Sequence, residues 1–317
     1  MKNSSGNPRC KIVSDDGDKS LYLSGECFLT LLRRAAAAVT EHETRAVKQC
    51  SITLNQYIAL VVLDAGLSWS SAQVARCLGV SPQASHTLLR RLGQLGLTSR
   101  QDDPDTDIVV LHQLTLRGRE TLAQARAVLD DVDSGYRDLL TPTTYTRVLL
   151  VLEPCLRIGH GGSVPSPEED ARRQLLDMVK SHLGAALRNV ATQDSDALAL
   201  ALRSTGLTPG QYHILAAIDA ASLTPTSRIV SQAAVPQQTA SAILNRFVLL
   251  GFVERDHLRT HATAVAYRLT DAGLDARDQA QSAAAAVQSR RQDDFSSADR
   301  RALIPALNTL ANALTTR

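Results

Sequence analysis

The 317 residues carry a net charge of only +2, with 44% apolar and 3% aromatic residues. That length suggests two domains, each able to bury a core, and a chain rich in Ala and Leu but poor in aromatics favours packed helices over a sheet-dominated fold. The near-neutral balance excludes a uniformly basic nucleic-acid binder, so any affinity for DNA must come from local placement of charge. No uninterrupted apolar stretch approaches the ~20 residues of a membrane span, and the polar residues 1–25 lack the apolar centre of a secretory signal. The expectation is a cytoplasmic protein with no membrane partner and five reduced cysteines.

In chain order, residues 1–20 read as a disordered leader. A helix is expected near 21–47, with Leu29, Leu32 and Ala36 on one face, and a second over 53–63, apolar at Tyr57, Leu60 and Val61. Residues 71–78 form a short helix punctuated by Gly79. Ser81 then supplies an N-cap, and Pro82 takes the first helical position, where its missing N–H costs nothing. The helix so opened runs to Gly96, a natural stop. The period then changes: Val110, His112 and Leu114 alternate as in a strand, and the polar stretch 101–107 before them predicts a β-hairpin. Two more helices, near 117–139 and 143–156, lead to a linker marked by Gly159, Gly161, Gly162, Pro165 and Pro167. This order predicts a winged helix-turn-helix unit with long helical flanks, mainly α with a small β-hairpin wing.

The pattern recurs at a fixed offset of 155 residues, as from Tyr57 to Tyr212. Thr53, Gln56, Leu60 and Asp64 return as Thr208, Gln211, Leu215 and Asp219, and Val80 as Val235. Leu89, Arg91 and Leu95-Gly96 return as Leu244, Arg246 and Leu250-Gly251; Arg100 returns as Arg255. Leu114-Thr115 with Gly118 returns as Leu269-Thr270 with Gly273, and Val265, Tyr267 and Leu269 alternate as a second wing strand. A register held through two loops predicts two tandem copies of one domain, over 21–157 and 169–317, joined by a linker over 158–168.

These residues resemble the MarR-type bacterial transcription regulators. That family opens its second helix with a Leu-Thr-x-x-Gln-Tyr/Phe segment, present here as Ile52-Thr53-Leu54-Asn55-Gln56-Tyr57 and Leu207-Thr208-Pro209-Gly210-Gln211-Tyr212. Its recognition helix ends in an Arg-Leu-x-x-x-Gly-Leu phrase, here running from Arg91 to Leu97 and, with Phe247 and Phe252 substituted, from Arg246 to Phe252. The wing opens Asp103-Pro104-Asp105 and closes Leu114-Thr115-x-x-Gly118. The resemblance implies a homodimer with interlocked terminal helices, two winged units in adjacent major grooves of double-stranded DNA, and a pocket for a small aromatic or oxidant effector. With both copies on one chain, the expectation is an intramolecular pseudo-dimer, or else a swapped assembly of two chains.

The DNA-reading candidates in the first copy are Gln83, Ser85, His86, Thr87 and Arg90, on a helix with no acidic residue from Ser81 to Leu97. The second copy offers Gln237, Gln238, Thr239, Ser241, Asn245 and Arg246, with Arg255 and Arg259 in its wing. Gln and Asn can pair bidentately with adenine, and Arg with guanine. Solvation of an outer helix face is the plainer use of such residues, and Arg91 and Arg246 could instead bridge to the wing. The wings depart from the family pattern, which places a basic pair after the Asp-Pro-Asp phrase. Thr106, Asp107 and Ile108 stand there in the first copy, beside Asp102, Asp103 and Asp105, and Ala262 and Thr263 in the second. Phosphate repels such carboxylates. Two readings follow: a repressor whose unlike helices read an asymmetric operator with half-sites roughly 10 bp apart, or a relative that has lost DNA binding and serves as a ligand-responsive or protein-binding module.

Cys27, in Glu26-Cys27-Phe28-Leu29, resembles the Cys-Phe segment of hydroperoxide-sensing family members, although the tyrosine expected shortly after it is missing. A buried structural cysteine is the competing reading. Tyr57 and Trp69 are candidates for an effector pocket, a core aromatic at a helical apolar position being the commoner reading. The cysteines form no C-x-x-C pair, and His257 and His261 fall in the predicted wing, so no metal site is expected. Gly159-His160-Gly161-Gly162 has no accompanying G-x-S-x-G elbow, and no P-loop or G-x-G-x-x-G fingerprint occurs. The sequence therefore predicts no cofactor and no enzyme.

Overall fold

The computed structural model describes residues 28–66, 68–103, 106–156, 167–257 and 265–315. The predicted leader, Cys27, the linker up to residue 166, Arg259 and His261 lie outside them. The first series of elements is α1 (Phe28–Val47), α2 (Leu54–Asp64), β1 (Trp69–Ser70), α3 (Ser71–Leu78), α4 (Pro82–Gln94), β2 (Thr98–Asp103), β3 (Thr106–Leu114), α5 (Leu116–Leu140) and α6 (Pro142–Leu152). The second is α7 (Pro167–Ser181), α8 (Leu183–Ala201), α9 (Pro209–Ala217), β4 (Thr224–Pro225), α10 (Thr226–Ala233), α11 (Gln237–Leu249), β5 (Val253–His257), β6 (Val265–Leu269), α12 (Asp271–Asp293) and α13 (Ser297–Thr315). The fold is mainly helical with two small antiparallel sheets, of orders β1-β3-β2 and β4-β6-β5.

Local chemistry sets the helix boundaries. Thr53 and Gln56 close a capping box at the start of α2: the Thr53 hydroxyl accepts from the Gln56 N–H at 3.2 Å, and Gln56 Oε1 accepts from the Thr53 N–H at 2.7 Å. Ser70 and Gln73 repeat the device at α3. Gly79, at φ 66°, ends α3 in the left-handed conformation that costs glycine least, and Ser81 accepts from the Ala84 N–H at 3.2 Å to cap α4. The edge strands β1 and β4 were not expected, because two residues are too few to show alternation. They pair with the wing strands as Trp69↔His112 and Thr224↔Tyr267, two registers related by the same offset of 155 that relates the sequences.

Two compact units result. Of the described residues, one comprises those up to Arg34 together with those of Gly210–Pro305, and the other those of Ala35–Pro209 and Ala306–Arg317. The copy boundary in the sequence therefore differs from the unit boundary. Helices α7 and α8 belong to the unit built around the first winged segment, where Ala171 and Leu175 join a core containing Leu60, Leu63, Trp69, Leu89, Leu92 and Leu122. Conversely, the start of α1 belongs to the other unit, where the Phe28 ring meets Phe295 edge-on at 5.3 Å.

The flanking helices of the larger unit meet through buried polar groups. Asp133 on α5 accepts the Leu183 N–H at 2.9 Å, satisfying a donor at the start of α8 that the helix itself leaves open. Tyr145 also donates to Asp133 and lies 3.1 Å from the Ser181 carbonyl, while Arg137 donates to the same carboxylate at 3.1 Å. Beside them, Glu43 on α1 pairs with Arg188 on α8. Glu43 is 5% exposed, and burial raises its carboxyl above the ordinary range against the opposing pull of Arg188. An added Cβ at Gly184 would collide with Glu43, so the glycine allows α8 its close approach. Among the described residues no single helix is long and apolar enough to cross a membrane, and no cluster of residues could hold a metal ion.

Candidate nucleic-acid interface

Each longer helix of the helix-turn-helix is fixed against its wing by the Leu-Thr-x-x-Gly motif. The Thr115 hydroxyl donates to the Gly96 carbonyl at 2.8 Å and accepts the Gly118 N–H at 3.0 Å, tying the end of α4 to the start of α5. Thr270 repeats both contacts with Gly251 at 2.6 Å and Gly273 at 3.1 Å. Gly118 and Gly273 sit so close to the carbonyls of Leu97 and Phe252 that a Cβ at either would collide with backbone. The motif thus holds recognition helix, wing and flank in one rigid corner.

On α4, Leu89 and Leu92 face the core, leaving Gln83, His86, Thr87 and Arg90 exposed along the opposite stripe. Thr87 has already bonded its hydroxyl back to the Gln83 carbonyl at 3.0 Å. Ser85 corrects the sequence reading: it is fully buried, and its hydroxyl donates to the Ser71 carbonyl at 2.8 Å. It ties α4 to α3 and cannot face a ligand outside. The signal was available, since positions 85, 88, 89 and 92 form one helical face with three leucines on it.

On α11, Ala240, Leu244 and Phe247 are buried, and Gln237, Gln238, Thr239, Asn245 and Arg246 are exposed, with Ser241 half-buried. The last turn is apolar: Leu249 is 88% exposed, where the equivalent residue of α4 is Gln94. Arg91 and Arg246 are exposed; Arg91 donates to its helical neighbour Gln94 at 3.3 Å. The entry to α11 is less well built than that to α4. Ala234, at φ 49°, stands where the first copy has Gly79, and Pro236 replaces the capping Ser81 with no side-chain cap.

Both wings carry exposed charges of either sign, Arg100 and Asp102 on β2 and Arg255 and Asp256 on β5. Arg268 is held across the second sheet by Glu254, with Nε donating at 2.6 Å. Under the first wing, His112 is buried at 2% exposure, 3.5 Å from the Ser71 hydroxyl, and burial together with Arg100 and His86 lowers its pKa. Neither effector candidate is at a surface: Tyr57 and Trp69 lie in the core, and desolvation raises the Tyr57 phenol. The described cysteines Cys50, Cys77 and Cys155 are in no disulfide, and burial pushes Cys77 up to about 11, which keeps it protonated at neutral pH.

Two acid-free helices, each anchored to a β-hairpin and presenting an outward polar stripe, define a winged helix-turn-helix protein of the transcription-regulator class. No family model matches the chain. The chain is 32% identical over 111 residues to the HTH-type transcriptional repressor Rv2887 of Mycobacterium tuberculosis, covering 80% of that protein and 35% of this chain. The crystal structure of the same protein, described as a MarR family protein, matches at 30% identity and TM-score 0.34, over 39% of this chain and 90% of that one. CouR from Rhodococcus jostii RHA1, bound to p-coumaroyl-CoA, matches at 18% identity and TM-score 0.38, over 42% of this chain and 94% of its own. A MarR variant from E. coli complexed with operator DNA matches at 18% identity and TM-score 0.34, over 44% and 91%. The chain belongs to the MarR family of transcription regulators.

Proposed function

We propose that this protein is a DNA-binding transcriptional repressor in which one polypeptide carries both winged units of a MarR dimer, so that two unlike recognition helices read an asymmetric operator. The observation that carries this reading is the pair of exposed, acid-free stripes on α4 and α11, mounted on corners with the same Thr–Gly chemistry. The pseudo-dimer draws support from the crossed make-up of the compact units, in which each winged segment is grouped with helix from the other half of the chain. Covalent joining would raise the effective concentration of the halves to about millimolar.

The acidic first wing lowers the electrostatic contribution of that half, so the recognition helices must supply much of the affinity. An effector, a small aromatic or an oxidant, belongs to the same reading on family grounds, and Cys27 and the core pair Tyr57 and Trp69 remain its candidate contacts. Trp69 is the only tryptophan and is fully buried, so its fluorescence reports any rearrangement around it. The test is binding to a labelled duplex spanning the DNA upstream of the protein's own gene, over a salt series with unrelated duplex as competitor. Nanomolar, competitor-resistant binding with a steep salt slope is expected. Binding no better than to competitor, there and in a genome-wide selection, would favour the second reading, a relative that has lost its operator.

A further inference from the structure

Arg90 and Asn245 occupy the same place in the two recognition helices, 155 residues apart. Each is exposed, and each stands seven residues, about two helical turns, beyond a glutamine on the same stripe: Gln83 on α4 and Gln238 on α11. Among the described residues neither Arg90 nor Asn245 gives its side chain to a hydrogen bond or ion pair, so both heads are available to a partner. The other paired differences change less: Thr239 stands exposed against Ala84 and adds a hydroxyl near the helix entry, Thr87 has used its hydroxyl within its helix and corresponds to Ala242, and Ser241, the counterpart of His86, is half-buried.

The hydrogen-bonding vocabularies of the two residues do not overlap. A guanidinium offers five donors and no acceptor, which matches the two acceptors N7 and O6 on the major-groove edge of guanine. A carboxamide offers donors and an acceptor together, which matches N7 and the N6 amino group of adenine. The two glutamines, being alike, call for the same base in both halves. We propose that the two half-sites share the base pair met by Gln83 and Gln238 and differ at the one met by Arg90 and Asn245. Guanine faces Arg90 and adenine faces Asn245. This specificity rests on the DNA-binding reading above, and it turns a general asymmetry into one named base-pair difference.

The test is selection from a random duplex pool with the full chain, the single variants Arg90→Asn and Asn245→Arg, and the double exchange. All four should show the same circular-dichroism spectrum and melting temperature, because both positions are exposed. The wild-type chain should enrich a near-palindrome broken at one equivalent step, G in one half and A in the other. Arg90→Asn should move that step from G to A in one half only, changing preference by about tenfold to a hundredfold. The double exchange should enrich the operator with its two half-sites interchanged. A specific operator that is enriched equally by wild type and Arg90→Asn would overturn this assignment and leave the regulator reading intact. No enrichment of any sequence by any of the four chains would overturn both.

Discussion

At equivalent positions of α8 and α1, Arg188 meets the buried carboxylate of Glu43, whereas Arg33 lies 3.0 Å from His213 Nδ1 and donates to the Gln232 carbonyl at 2.8 Å. Leu198 stands in the second copy where the first has Glu43, and Ile58 in the first where the second has His213. The corner residues Thr115 and Gly118, by contrast, recur unchanged as Thr270 and Gly273. The comparison separates two kinds of constraint. At the corner, where a threonine caps the flanking helix and a glycine presses against a backbone carbonyl, the two halves keep the same residues, although the entries to α4 and α11 do not. Where a buried charge only needs some partner, they have found different ones, just as their outward stripes have come to carry different hydrogen-bonding groups.

The largest effect expected from this contrast is in pH. Burial and the charge of Arg33 lower His213 to about 3, from the ordinary 6.5. The unfolded chain therefore binds the extra proton first, so the stability associated with His213 is complete above pH 6.5 and is lost as pH falls towards 3. The slope is up to ~1.4 kcal/mol per pH unit. Denaturant midpoints measured between pH 7 and 4 should fall less steeply in His213→Gln, and parallel curves would show that the ring titrates freely. Next, Glu43→Ala should cost about 3 kcal/mol, because it strands the Arg188 charge beside buried groups; a loss under about 0.5 kcal/mol in urea titration would mean the pair is solvated.

The shared corners should respond alike. Gly118→Ala and Gly273→Ala should each lower stability by about 2 kcal/mol, since backbone carbonyls cannot yield as side chains do, and a large difference between them in melting temperature would break the equivalence of the two frames. The smallest effect concerns the helix entries. Ala234→Gly should stabilise by about 0.5–1 kcal/mol by relieving a left-handed alanine, while Gly79→Ala should destabilise by a similar amount. Thermal melts of the two variants should move in opposite directions.

Much of this architecture was legible because its signals are local. Thr53 with Gln56, Gly79, and Ser81 with Pro82 each announce a helix boundary through chemistry that needs only near neighbours. The Leu-Thr-x-x-Gly phrase was visible as a motif, but its reason, a helix start pressed against the Leu97 or Phe252 carbonyl, requires the third dimension. Polarity alone points Ser85 outward, whereas its helical phase, shared with Leu88, Leu89 and Leu92, turns it into the core. The Asp133 joint and the grouping of α7 and α8 with the first winged segment depend on residues far apart in sequence, whose pairing no spacing reveals. The exposed face of α4 and α11 was legible from helical phase, whereas which of its side chains keep their polar heads unengaged needs the structure.

The most direct test of the account is the stoichiometry of the complex formed on the selected operator. Native mass spectrometry or sedimentation equilibrium, at low micromolar protein and matched duplex, counts the chains bound. One chain per operator is expected if a single polypeptide supplies both recognition helices. Two chains per operator at saturation, with none bound singly, would contradict it.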